Sequence, residues 1–474
     1  MSEHRSESDK AALSPEEVRK LADSVTGEVF LPDEPGYTER VNGFDRAVEH
    51  RPAVVVAVAN AQDVVTSVGF ARDHDWAVAV QTTGHGAALP ADENTLFLAT
   101  RGMNGVEVDP ERRVARLEAG VLWEEVLPAA AEHGLAPLNG SAPFVGAVSY
   151  TLGGGIGVLS RRHGYAADHV RRIEVVTADG ELRVATQEEN ADLFWALRGG
   201  KGNFGVVTAI EVELFEVSRI YGGGLFFPAE SAAEALHFYS EWAAGMPEEM
   251  SSSFFMLDWP DADGVPQELR GKFALHLRLC YLGSPEEGER LVQPLRDLAP
   301  TLLDTVVDMP YTEVGTIHND PPTPGCYHIN TFQLSRFDHE VVDAVLAQVG
   351  PGKKSAVGLE LRQLGGALAR PPKVPNAVAH VDAPFQVYAA GVLGVGEDDA
   401  VLADQDRVGE LFERWDSGTR MLNFMAGVAH TDAAYVSQAY TPEAYARLRA
   451  LKTTWDPGNM FRVNHNIPPV STEV

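Results

Sequence analysis

The strongest constraint on how this chain can fold lies between Pro52 and Leu89. An apolar run, P-A-V-V-V-A-V-A at 52–59, is followed by Asn60, by Val64, Val65, Val68 and Ala71, and then by a second apolar run at 77–82. Continuous apolar runs of this length read as buried strands, whereas the spacing between them reads as one face of a helix. Asn60 supplies a helix N-cap, with Asp63 at the third position. The segment is therefore expected to be one β-α-β unit. Its second strand runs into T-T-G-H-G-A-A-L, where His85 stands between Gly84 and Gly86. Ligands of open α/β folds gather at the carboxyl ends of strands. Residues without Cβ let a backbone press close to a large partner. His85 is either aimed at such a partner or belongs to an ordinary turn, and this stretch alone leaves both open.

The rest of the chain reads as follows. Residues 1–13 are polar and are expected to lack fixed structure. Ser14-Pro15-Glu16-Glu17 starts a short helix that ends near Gly27. Beyond the β-α-β unit the pattern turns antiparallel. Runs at 106–108 and 114–117 flank D-P-E-R-R, and runs at 173–177 and 181–185 flank Ala178-Asp179-Gly180. Helices are expected at 121–133 and 190–197, and a strand at 206–215. From about 217 to 425, strand-like runs at 273–281 and 356–364 mix with helices at 231–244 and 285–298, which suggests an α+β unit with a large sheet. A helix at 442–452 is the last element expected. A chain of 474 residues should divide into two or three domains.

Several function classes are disfavoured. A net charge of −30 repels nucleic acid and anionic membranes. Two cysteines, Cys280 and Cys326, make no disulfide framework, although they could pair with each other. No metal-ligand motif, secretory leader or membrane span is read, so a cytoplasmic protein is expected. Gly200–Gly205 spells G-K-G-N-F-G, but it follows a helix and precedes a strand, the reverse of the dinucleotide-binding order. Gly153, Gly154, Gly155 and Gly157 either cradle a diphosphate with backbone N–H groups or pack a helix tightly. Glu360 and Arg362 share one face of a strand whose other face carries Leu359 and Leu361. That face is either solvated or the wall of a pocket. Tyr440 precedes a helix start at Thr441-Pro442, where a phenol could serve as acid or base or simply pack.

Six stretches then occur in one order across nearly the whole chain. They are T-G-H-G at 83–86, V-G-A-V-S-Y-T-L-G-G-G-I-G at 145–157, D-L-F-W-A-L-R-G-G-K-G-N-F-G-V-V-T at 192–208, L-R-Q-L-G-G-A at 361–367, Asn423-Phe424, and W-D-P-G-N-M-F-R-V-N-H-N-I-P-P at 455–469. In this combination the chain resembles the berberine-bridge-enzyme-like branch of FAD-linked oxidases, of the vanillyl-alcohol-oxidase and PCMH-type FAD-binding superfamily, in its bacterial secondary-metabolite form. The resemblance implies an α+β protein. A two-lobed PCMH-type FAD-binding domain at 1–216 (core about 48–216) is followed by a substrate domain with a large antiparallel sheet at 217–425 and a segment at 426–474 that returns to the FAD domain.

The resemblance also implies FAD joined covalently through His85. Ala142, in G-S-A-P-F-V-G at 140–146, occupies the position of a cysteine that forms a second link in some members, so one link is expected. The family's R-x-G-G-H-S reads Q-T-T-G-H-G here, without its arginine and serine. The implied FAD contacts at the first loop are Gln81, Thr82, Thr83, Gly84, His85 and Gly86, with Gly120 nearby. A second group is Ser141, Ala142, Val145, Gly146, Ser149 and Tyr150, followed by Gly153, Gly154, Gly155 and Gly157. A third is Gly202, Gly205, Val206 and Val207, with Asn464 and Asn466 from the C-terminal segment. Glu360, with Arg362 beside it, matches an acidic base, and Tyr440 matches a tyrosine near flavin N5.

The implied activity is hydride transfer from a small alcohol, phenol or amine, such as a secondary metabolite or glycoside, to a histidyl-linked flavin with O2 as acceptor. The alternative is an oxygenase working through a flavin–oxygen adduct. A monomer or homodimer is expected. Phe254, Phe255, Trp259 and Tyr388 either line the substrate pocket or belong to the core.

Overall fold

The computed structural model describes residues 13–427 and 431–470. The polar tail read at 1–13 therefore lies, except for Leu13, outside the described residues. Among the described residues no helix is long and apolar enough to cross a membrane, and Cys280 and Cys326 are both free.

The first sheet has the spatial order Glu28–Phe30, Val54–Ala57, Thr95–Ala99, Ala77–Gln81. The helix Ala61–Asp73 forms where expected, capped by Asn60 accepting from the Asp63 N–H at 3.0 Å. The two strands of the expected unit are not neighbours. Thr95–Ala99 runs between them and pairs in parallel with both. That strand escapes sequence reading because T-L-F-L-A is short and is buried at every position, so no alternation marks it. The Asp63 carboxylate accepts the N–H groups of Thr26, Gly27 and Ala59, tying the entering chain to this sheet.

The second sheet is antiparallel throughout, in the order Val106–Asp109, Val114–Glu118, Val206–Glu213, Val170–Val176, Leu182–Ala185. Both expected hairpins are present. The expected helices appear as Trp123–Ala131 and Ala191–Gly200, the latter leaving helical geometry at Arg198 and Gly199.

The third sheet has eight strands. Seven run in the order Leu303–Asp304, Arg219–Pro228, Phe273–Tyr281, Met250–Asp258, Val357–Gln363, Phe385–Leu393, Cys326–Leu334, and Val307–Pro310 also pairs with Arg219–Pro228. Helices Ala232–Ala244, Pro285–Arg296, His339–Val349 and Asp398–Phe412 cover one face. Phe254, Leu277, Leu359, Leu361 and Val387 enter that apolar core. Because side chains alternate across a pleat, the residues between them point to the opposite face. Register brings them into rows, with His276, Phe255, Glu360 and Tyr388 in one and Arg278, Ser253 and Arg362 in the next.

The C-terminal helix Pro442–Trp455 ends in a buried ion pair. Lys452 Nζ sits 2.7 Å from Asp456 Oδ2 and donates to the carbonyls of Asn203 at 2.6 Å and Phe461 at 3.1 Å. Asp456 accepts in turn from the N–H groups of Met460 and Phe461. W-D-P-G-N-M-F is therefore a knot that fastens the C-terminal segment to the loop after Gly200. Removing one partner of a buried pair leaves the other charge uncompensated. Lys452→Met is expected to lower unfolding free energy by about 3–5 kcal/mol, read as a shift of the urea midpoint at unchanged slope.

Candidate active site

A cavity of about 1230 Å³ lies between the charged face of the third sheet and the edges of the first two. Single small-molecule sites usually occupy roughly 300–1,000 Å³, so there is room for two molecules side by side. One side is formed by residues 81–89, by segments around Ala142, Tyr150 and Gly205, and by Val463, Asn464 and His465. The other is formed by Phe255, Arg278, His318, Glu360, Arg362 and Tyr388.

His85 follows the strand Ala77–Gln81. Gly84 before it has φ +74°, and a Cβ there would meet Gly43 and, at 2.8 Å, Gln81 Oε1. Glycine is thus required both by conformation and by the close crossing of two backbones. The His85 ring stacks on Phe44 with centroids 3.9 Å apart and planes 13° apart, and Phe144 lies 5.5 Å away. Nδ1 is 2.8 Å from Thr83 Oγ1, while Nε2 is buried without a hydrogen-bond partner. Burial lowers the imidazole to about 4, against the pull of Asp320. The ring is neutral near pH 7, and an Nδ1–H donating to Thr83 leaves the lone pair on Nε2.

On the facing wall Glu360 is 6% exposed. Its carboxylate accepts from Arg362 Nη2 at 3.0 Å and lies 3.4 Å from Arg278 Nη1 and 3.5 Å from His318 Nε2. Burial alone would raise this carboxyl, but Arg362, Arg278 and His318 hold it well below the ordinary range. A carboxylate held this way is a weak proton acceptor. His318 is a better one. Burial lowers it, with the arginines adding and Glu360 opposing, so it is neutral at pH 7. The guanidiniums of Arg278 and Arg362 lie over the rings of Phe255 at 4.8 Å and Phe424 at 5.3 Å.

The cavity brings together Gln81, Thr82, Thr83, Gly84, His85 and Gly86, then Ser141, Ala142, Val145, Ser149 and Tyr150. It also gathers Gly202, Gly205, Val206, Val207, Asn464, Glu360 and Arg362. Other expected residues lie outside it. Tyr440 is buried in the core and donates to the Gly199 carbonyl at 3.0 Å, and burial pushes its phenol up rather than down. An acid–base role for Tyr440 is therefore corrected to packing. Gly153, Gly154, Gly155 and Gly157 follow the helix Ala147–Leu152 instead of opening one. A Cβ at Gly153 would strike Asn423, at Gly155 the Tyr150 ring at 2.6 Å, and at Gly157 the Asn139 carbonyl. Gly153, Gly154, Gly155 and Gly157 stand outside the cavity lining, and at Gly153, Gly155 and Gly157 the close neighbours make the backbone a packing surface. Gly120 is pressed against the Thr100 and Met103 carbonyls. Gly146 caps the helix Ala147–Leu152, and Asn466 stands just beyond the lining residues. Phe255, Trp259 and Tyr388 line the cavity, whereas Phe254 is core.

Sequence reading missed Arg278, His318 and Lys201. The first had a signal. F-A-L-H-L-R-L-C-Y alternates His276 and Arg278 with leucines, just as Glu360 and Arg362 alternate with leucines on the next strand but one. His318 had none, since it comes from the loop H-N-D-P-P-T-P.

Comparison with known proteins accords with this geometry. A family profile described as FAD binding domain matches residues 52–186, and one described as Berberine and berberine like matches 422–468. The chain is 29% identical to (R)-6-hydroxynicotine oxidase of Paenarthrobacter nicotinovorans, over 94% of this chain and 97% of that one. It is 25% identical to an FAD-linked oxidoreductase of Dictyostelium discoideum, over 96% and 97%. Among solved structures, 6-hydroxy-D-nicotine oxidase from Arthrobacter nicotinovorans superposes with a TM-score of 0.81 at 27% identity, covering 94% of this chain and 98% of that one. Berberine bridge enzyme from Eschscholzia californica gives 0.81 at 18% identity, over 96% and 99%, a likeness of fold. Together these define an FAD-linked oxidoreductase. Within that class, the chain carries an FAD-binding domain and a berberine-like segment, and its fold matches the berberine-bridge-enzyme-like, PCMH-type flavoproteins. The residues present fit the cofactor: the cavity has volume for it beside a substrate, and His85 Nε2 and Asn464 Oδ1 are buried at its wall without partners.

Proposed function

We propose that this enzyme oxidises a small alcohol, phenol or amine, passing hydride to FAD held covalently through His85 and electrons onward to O2. The observation that carries the reading is the neutral, unpartnered Nε2 of His85, stacked on Phe44 at the wall of a cavity with room for two molecules. When bound, FAD supplies the two-electron redox chemistry. Thr83 fixes the imidazole orientation through Nδ1, and Phe44 and Phe144 shield it from water. Ala142 offers no thiol, which leaves His85 as the single link. The same reading divides the chain into FAD-binding (1–216), substrate (217–425) and returning (426–474) parts.

Arg362 and Arg278 hold the substrate heteroatom from the third sheet. His318 accepts its proton. Glu360 keeps both arginines and His318 in place and stabilises the imidazolium as it forms, in the manner of a buried acid behind a catalytic histidine. The likeness to an oxidase named for a hydroxylated nicotine supports a ring-bearing amine or phenol among the candidates.

Three outcomes are expected. Yellow fluorescence should stay with the denatured chain on a gel and be absent from His85→Ala, and complete release of flavin by acid from the parent would end the covalent claim. Glu360→Gln should lower kcat/KM by about 10²-fold through misplacement of its partners. It should also move the acid limb of the pH profile downward, because the lost carboxylate had raised His318. Disappearance of that limb would instead make Glu360 the base. Turnover under 18O2 should yield one peroxide per substrate and unlabelled product; label in the product would replace the oxidase with an oxygenase.

A further inference from the structure

We infer that Lys201 is a cofactor-binding residue of this chain, its ammonium forming an ion pair with a negative charge that FAD brings into the cavity. The inference rests on FAD occupying the cavity described above. The first observation is conformational. Lys201 has φ +54° and ψ −144°, immediately after the kinked end of the helix Ala191–Gly200 and among Gly199, Gly200 and Gly202. A non-glycine residue held there is strained, and such strain persists where the surrounding structure imposes it. Glycine would take this conformation freely, yet a long cationic side chain stands in it.

The second observation is where that side chain goes. Lys201 lines the cavity, and a Cβ built on Gly86 would lie 3.0 Å from its Nζ. The ammonium therefore fills the space that a side chain at 86 would claim, one residue after His85. This is the loop Q-T-T-G-H-G at 81–86, whose own side chains carry no charge near pH 7, His85 being neutral. The cation beside it is carried by G-K-G-N-F-G at 200–205.

The third observation is electrostatic. Among the described residues the Lys201 ammonium has no hydrogen-bond acceptor and no carboxylate within ion-pair distance. Burial lowers its ammonium to about 8. The neighbouring His465 is lowered to about 3 by burial, with Lys201 adding, and so is neutral. Lys201 is half-buried, and an unpaired cation partly withdrawn from water is destabilising unless an anion meets it. FAD offers two sources of the same chemistry: its diphosphate, charged at all times, and its isoalloxazine, which becomes anionic on reduction.

The test uses full-length parent, Lys201→Met and Lys201→Arg, purified with their flavin. Flavin per chain is read by absorbance, and the flavin midpoint potential by dye-coupled reduction. If the ammonium pairs with the diphosphate, Lys201→Met should carry at least tenfold less flavin while Lys201→Arg stays near parent. If it pairs with the reduced ring, Lys201→Met should load fully but show a lower midpoint potential, again restored by arginine. Parent-like loading and potential in Lys201→Met would overturn the inference, even if KM for substrate changed. Should Lys201→Met fail to fold, Lys201→Gln gives the same readouts. A parent that neither carries nor binds FAD would instead bring down the cavity assignment itself, an outcome distinct from unaltered variants of a yellow parent.

Discussion

A carboxylate in the middle of a sheet can be buried only if something meets its charge, and in this protein two guanidiniums do so. Glu360 and Arg362 stand two residues apart on one strand and Arg278 on the next but one, and register sets all three on one face. Taking an isolated carboxylate out of water costs several kcal/mol, so neither the acid nor the bases would be stable there alone. The consequence reaches beyond the three side chains. A sheet face bearing fixed charges cannot close onto the apolar surfaces of the first two sheets as its other face closes onto four helices. An open volume therefore persists in a fold otherwise packed as densely as most protein interiors.

The two sides of that volume are built by different means. On the substrate side the parts stand on strands, held by pleat and register, and only His318 comes from a loop. On the cofactor side they stand on loops made rigid by close backbone contact. Gly84 crosses Gly43, and the loop at 199–205 is clamped by Lys452 and Asp456 from the C-terminal segment. That clamp explains why a segment distant in sequence belongs to the site: it sets Asn464 and His465 beside Lys201.

The likeness to other proteins follows the same division. The two family profiles match 52–186 and 422–468, which supply most of the cofactor side, and leave the large sheet unmatched. Cofactor loops must meet one unvarying molecule, whereas a sheet face meets whatever substrate the enzyme takes. The pairing of Arg278 and Arg362 with Glu360 is a property of this chain's own strands, and it makes His318 a stronger proton acceptor than the carboxylate beside it.

Much of this was legible in the linear chain. Local periodicity and capping marked the helix after Asn60, both hairpins and two long strands of the third sheet, Phe273–Tyr281 and Val357–Gln363, because neighbours along the chain decide those elements. The Gly-His-Gly loop and the ordered motifs pointed to the cofactor. Alternation at 359–362 showed which residues share a face. What alternation could not say was whether that face met water or a cavity, since a charged stripe reads the same in both. Tertiary packing decided it, as it decided that Thr95–Ala99 inserts between two strands expected to be adjacent. It also drew Tyr440 into the core, turned Gly153, Gly155 and Gly157 into packing surface, and brought Lys201 and His318 to the site. Each of these depends on contacts between residues far apart in the chain, and a pattern read along one segment carries no information about what will be packed against it.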